Sequence, residues 1–254
     1  MKLKRLLFGS LVVCSVLAVA FKLVDRTVSA HEEADRRPED EADFEAVDAY
    51  VRRQMDRLNI PGVSFAIVEG DEIVHQRGFG RARPGGEPPS PQTPFAIGSL
   101  TKSFTALVVM QLVESGEIDL DAPAQRYLPW FRVADPQVSA QITVRHLLNQ
   151  TSGLSTASGW IPLADFDDRP DAIERQARAL STLELSRPVG SAFEYSNANY
   201  NLLGLIVEVV SGEAYADYVQ NHIVAPLEMD HSTASQAVAR ADGMAVDSSG
   251  NCYV

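Results

Sequence analysis

"FAIGSLTKSFTALVVMQLVESGEIDL", Phe95 to Leu120, reads as a helix that begins near Ser99 and ends near Gly116, a suitable C′ residue. Phe104, Leu107, Val108, Met110, Leu112 and Val113 cover most of its circumference, which predicts burial on nearly all sides. Ser99 and Lys102 stand three residues apart and so share a face at its mouth. A lysine at the entrance of so apolar a helix is costly to keep charged. Lys2, Lys4 and Lys22 belong to the first segment of the chain, and Lys102 is the only lysine after them. Arginine serves elsewhere, but its pKa is too high for a proton acceptor, so this position calls for an amine that can lose a proton. A serine hydroxyl becomes a nucleophile when a neighbouring base takes its proton. Desolvation should push Lys102 toward the neutral amine, and helix-entry amides near Ser99 point toward a developing oxyanion. Taken alone, Ser-x-x-Lys also arises by accident.

Further along, "ITVRHLLNQTSGL", Ile142 to Leu154, reads as a short helix ended by Gly153, and Asp167 to Leu180 as an exposed helix. "SNANYNLLGLIVEVVSG", Ser196 to Gly212, is a second strongly apolar helix, and Ala214 to Leu227 a third, stopped by Pro226. Tyr195, Ser196 and Asn197 lie at the entrance of the second helix, where side chains can face a cleft. A phenol beside a lysine can shuttle a proton, and an amide can hold a substrate carbonyl or the lysine amine. The plainer alternative is that Ser196 or Asn197 caps the helix.

On the N-terminal side, Phe44, Val47, Val51, Met55 and Leu58 recur at helical spacing. In "IPGVSFAIVEGDEIVHQRGFG", Ile60 to Gly80, Val63, Phe65 and Ile67 alternate before the turn "EGD", which predicts a β-hairpin. Arg81 to Pro94 is a loop by its proline and glycine content. His31 to Asp43 is dense in charge and reads as an acidic linker. Residues 1–30 join a basic start to the apolar run Leu6 to Phe21 and a small-residue site ending at Ala30. They read as a cleaved signal peptide, with an uncleaved membrane anchor as the alternative. The remaining domain, residues 44–254, is then expected outside the cytoplasm: secreted, periplasmic or anchored on the outer side of the membrane. Cys14 lies in the apolar run, which leaves Cys252 without a partner for an internal disulfide. A formal charge of -12 with no basic stripe argues against nucleic acid as a partner, and 45% hydrophobic residues suffice for a core.

Ser99-x-x-Lys102 followed by Tyr195-x-Asn197 resembles the serine β-lactamase and penicillin-binding protein superfamily, in its class C β-lactamase, D-Ala-D-Ala carboxypeptidase and esterase branch. "IPGVSFAIV", "TPFAIGSLTKSFTA", "GEIDLDAPAQRYLP", "ITVRHLLNQTSGL" and "NYNLLGLIVEVVSG" extend the likeness from about Ile60 to Met229. The resemblance implies an α+β fold of the β-lactamase/transpeptidase type, an antiparallel sheet with flanking helices and a helical subdomain. It also implies an acyl-enzyme without metal or organic cofactor, acting on a small-molecule or peptidoglycan-peptide substrate: a β-lactam, a D-Ala-D-Ala peptide or a carboxylic ester. Ser99 would attack the carbonyl and supply one oxyanion N–H, and Lys102 would accept the Ser99 proton. Tyr195 would pass a proton to the leaving group, and Asn197 would bind the substrate amide or steady Lys102.

The family's third motif, Lys or His followed by Thr or Ser and Gly, is missing, since neither "HIV" at His222 nor "HST" at His231 has the glycine. The later sheet strands are expected to be missing with it, as in a C-terminally incomplete chain, which would leave the early hairpin with an open edge. The competing reading is a catalytically inactive binding or regulatory domain on the same fold. His146 is expected to pack or cap rather than to join a triad, and the five histidines show no metal spacing. Trp160 to Pro170 either lines the substrate entrance or is a solvated loop.

Overall fold

The alternation at Val63, Phe65 and Ile67 is realised as a hairpin in the computed structural model, which describes residues 38–95, 97–159 and 171–235. The apolar N-terminal run, both cysteines and the stretch Trp160 to Pro170 lie outside the described residues. Strands β1 (Gly62–Glu69) and β2 (Glu72–Gly80) pair antiparallel across Gly70 and Asp71, with an irregularity in register between Ile67 and Val68. Among the described residues these are the only two strands of a sheet.

The chain divides into two compact units, Met1–Thr93 and Pro94–Val254. In the first, helix α1 (Pro38–Leu58) carries Phe44, Asp48 and Met55 on the face that meets the hairpin. The ring of Phe44 stacks on that of His75 at 4.6 Å, and Phe65 stacks on Phe79 at 5.8 Å. Asp48 is buried, takes a hydrogen bond from His75 Nε2 at 2.9 Å and pairs with Arg77 at 2.8 Å. The helix starts at Pro38, inside the stretch read as a linker. Proline's fixed φ suits the first position of a helix, and a charge-rich run lacks burial rather than helical propensity.

The second unit is helical. Its elements are α2 (Thr101–Glu114), α3 (Pro136–Ser139), α4 (Val144–Leu148), α5 (Ala172–Ala179), α6 (Asn197–Ser211) and α7 (Tyr215–Val219). Helices α2, α4, α5 and α7 each pack against α6. Val108, Val109 and Leu112 from α2 meet Leu128, Phe131, Ile142, Val144 and Leu147 together with Leu202, Leu203 and Ile206 from α6 in one apolar core. Each such aliphatic side chain withdrawn from water contributes about 1.5–3 kcal/mol.

Two expectations are corrected here. Helix α2 is not buried all round, because Leu107 is 47% and Met110 45% exposed. The core takes only the face that carries Val108, Val109 and Leu112, and composition alone does not say how many faces of an apolar helix find a partner. The segment before Pro226 is not one regular helix either: after α7 the chain widens into a π-turn, Gln220–Val224, where Ala225 N–H reaches back to Gln220 O at 2.9 Å. His146 caps as expected, its Nδ1 accepting from Thr143 N–H while Thr143 Oγ1 accepts from His146 N–H.

Candidate active site

Ser99 sits in a single 3₁₀ turn, Gly98–Leu100, that runs directly into α2. Gly98 has a φ of 50°, a conformation glycine adopts without a Cβ clash, so the chain turns sharply just before the serine. Lys102 is the second residue of α2 and therefore stands one turn beyond Ser99 on the same side. On the opposite wall, Tyr195 immediately precedes the N-cap of α6, and Asn197 is that helix's first residue. Both walls belong to the second unit.

The four predicted side chains are brought together. Ser99 Oγ lies 2.6 Å from Tyr195 Oη and 3.4 Å from Lys102 Nζ, which donates to it. Lys102 Nζ also donates to Asn197 Oδ1 at 2.7 Å, and Tyr195 Oη donates to the same oxygen at 3.2 Å. A phenol has one proton. With that proton on Asn197, the Ser99 hydroxyl is the donor in the short contact to Tyr195.

Asn197 thus directs its carbonyl oxygen at both Lys102 and Tyr195. Neither Ser196 nor Asn197 caps α6 through its side chain. Two residue types that cap helices well are employed otherwise.

Burial raises the Tyr195 phenol, but hydrogen bonds from Lys102 and Ser99 and the lysine charge outweigh it and hold the phenol below its ordinary value. Tyr200, one turn into α6, adds a second aromatic surface: Lys102 Nζ lies 4.8 Å from the Tyr195 ring centre and 5.6 Å from that of Tyr200. Burial, and then the proximity of Tyr195, raises the Tyr200 phenol, which donates to Leu148 O at 3.2 Å. Tyr200 was not singled out from the sequence, although its place three residues after Asn197 puts it on the same helical face.

The loop after α4 supports the Tyr195 wall. Thr156 Oγ1 donates to Tyr195 O at 2.7 Å, and Thr156 N–H donates to Glu194 Oε1 at 3.1 Å. Gly159 lies so close that a Cβ there would fall 2.5 Å from Asn197 N. Hydrogen bonds from Ser186 and Thr156 N–H, then the pairing with Arg187, hold Glu194 below the usual carboxylate range. Among the described residues no group of three or more His, Cys, Asp or Glu side chains is placed to hold a metal ion. The arrangement places a serine hydroxyl against a phenol and an amine, groups that can exchange protons with it.

Known proteins carry the same architecture. Residues 47–248 match the family described as Beta-lactamase. Protein flp of Staphylococcus aureus (strain MW2) is 32% identical over 192 residues, 75% of this chain and 38% of that protein. The octameric penicillin-binding protein homologue from Pyrococcus abyssi superposes with a TM-score of 0.66 at 30% identity, covering 82% of this chain and 49% of that one. The D-amino acid amidase from Ochrobactrum anthropi SV3, complexed with D-phenylalanine, gives a TM-score of 0.56 at 32% identity over 72% of this chain and 48% of that one. The kind of protein these relatives define has a mixed α+β fold and includes an amidase. The chain belongs to the β-lactamase family. It spans 38% of flp and about half of the solved chains it matches.

Proposed function

We propose that this chain carries the nucleophile and its proton partner of an acyl-enzyme serine hydrolase acting on an amide or ester carbonyl, of the β-lactam, D-Ala-D-Ala peptide or carboxylic ester type. The observation that carries the reading is the 2.6 Å contact between Ser99 Oγ and Tyr195 Oη beside Lys102. Once Tyr195 has lost to solvent the proton it directs at Asn197, Ser99 Oγ attacks the carbonyl carbon as the serine proton passes to the phenolate. That proton then goes to the leaving nitrogen or oxygen as the scissile bond breaks, and the acyl group stays on Ser99. Water attacks the ester in the second half, with Tyr195 taking the water proton and returning it to Ser99. Distance favours Tyr195 over Lys102 as the immediate acceptor, since the amine is 3.4 Å from the hydroxyl. Lys102 serves as the donor that stabilises the phenolate, and Asn197 fixes the amine.

The test is covalent labelling with a fluorescent penicillin or a fluorophosphonate. Labelling of the folded protein that disappears in Ser99→Ala supports the hydrolase. Folded protein that takes up neither probe supports the inactive binding domain. Export, with release or retention of residues 1–30, belongs to the same proposal and is checked by cell fractionation and N-terminal sequencing of the mature form.

A further inference from the structure

Gln150 is buried, and at φ 59° it occupies the left-handed region that a residue with a Cβ enters only at an energetic cost. Its main chain and side chain grip the segment on either side of Tyr195. Gln150 O accepts from Glu194 N–H at 2.8 Å. Gln150 Oε1 accepts from Ser196 N–H at 3.0 Å and from Asn199 Nδ2 at 2.6 Å. Asn199 is fully buried and in turn accepts from Ser152 Oγ at 2.6 Å, while Ser152 Oγ accepts from Leu154 N–H at 3.1 Å.

With Thr156 on Tyr195 O, three successive residues, 194 to 196, are tied to one loop. At an ordinary helix entrance the N-cap side chain would accept from the first-turn amides. Here Ser196 does not, and the buried amide of Gln150 accepts from the main chain of Ser196 itself and from the side chain of Asn199 in the first turn. In that conformation one residue presents both its carbonyls to the same segment.

We infer that Gln150 is a positioning residue for Tyr195, its two carbonyl groups bracketing the tyrosine so that the phenol oxygen is held against the Ser99 hydroxyl. The inference rests on the reading of Ser99 as nucleophile and Tyr195 as its proton partner. Displacement of a reacting group by about 1 Å can cost 10²-fold in rate, so the bracket matters to chemistry as well as to folding.

The test compares Gln150→Met, which is similar in length but accepts no such hydrogen bond, with Gln150→Glu, which keeps an acceptor oxygen. Two readouts are needed on the full chain: the rate of Ser99 labelling at several probe concentrations, and titration of the Tyr195 phenolate absorbance, assigned by difference from Tyr195→Phe. Gln150→Met should slow labelling about 10–100-fold at saturating probe with little change in the concentration for half-maximal rate. It should also move the Tyr195 inflection up toward the ordinary phenol value, and Gln150→Glu should recover most of both. In the Tyr195→Phe background Gln150→Met should slow labelling no further. An equal loss in that background, or a lowered melting temperature with an unchanged rate per folded molecule, overturns the inference. If even the wild type does not label, the hydrolase reading fails, and the titration decides alone: an unmoved inflection in Gln150→Met overturns the positioning role. Should Gln150→Met not fold, Ser152→Ala removes the donor to Asn199 while leaving Gln150 in place. The same two readouts then apply, and no change in either overturns the role.

Discussion

Tyr195 is the residue on which the proposed chemistry turns, because it touches Ser99, the proposed nucleophile, and is held below its ordinary pKa by Lys102 and Ser99 against the effect of burial. A general base acts only when deprotonated, so the labelling rate should rise with pH through the lowered Tyr195 value, which lies below the usual phenol value of about 10. Tyr195→Phe should reduce the rate by about 10²–10⁴-fold and flatten that rise; a pH profile of labelling on both proteins checks it. Lys102→Met removes the donor and charge that favour the phenolate. The Tyr195 inflection should then move up, as read by phenolate absorbance, and an unmoved inflection would show that Lys102 does not set the phenol's ionisation. Ser99, Lys102, Tyr195 and Asn197 were legible because each pair is encoded at short range: three residues along a helix, or two across its entrance. Tyr200 was less so, and Gln150 was not. A glutamine before "TSG" is an ordinary loop residue until the fold brings it against Ser196 and Asn199, more than forty residues away.

At the scale of elements, the placement of α6 governs the site, because its first turn carries Asn197 and its body carries the core. Gly159 allows the loop to approach that turn, and a methyl group there would press on Asn197 N. Gly159→Ala should slow labelling about 10–100-fold while circular dichroism stays helical, since the shift is local to the helix entrance. Leu203→Ala, in the fully buried middle of α6, should instead cost about 2–5 kcal/mol in urea unfolding and leave labelling per folded molecule near wild type. Periodicity and punctuation located these elements well: the hairpin by alternation, α2 and α6 by apolar content, and the ends of both by glycine. They misjudged what depends on partners. The extension of α1 to Pro38 and the π-turn after α7 follow from backbone hydrogen bonding that side-chain patterns do not register, and the open face of α2 follows from which surfaces meet it.

At the scale of the whole chain, the two units are built to different depths. The second encloses a continuous core drawn from five of its helices and the segments between them, whereas Met55 and Phe79 are the buried hydrophobic side chains described in the first. Within the first unit α1 supplies a face that the hairpin packs on and a polar node that meets β2. That node is Asp48, almost wholly buried, with His75 and Arg77 both reaching it from β2. Asp48→Ala removes two hydrogen-bonded contacts, and because Arg77 is half exposed and stays solvated the loss should be about 1–3 kcal/mol. Asp48→Ala should therefore raise amide exchange throughout α1, β1 and β2, with the helices of the second unit keeping their wild-type protection. Hydrogen exchange read by mass spectrometry resolves this peptide by peptide. In the wild type, amides of 62–80 should already exchange at lower opening free energy than those of 201–208. If the order were reversed, or if Asp48→Ala left the hairpin amides unchanged, the buried aspartate would not be what fastens α1 to the strands.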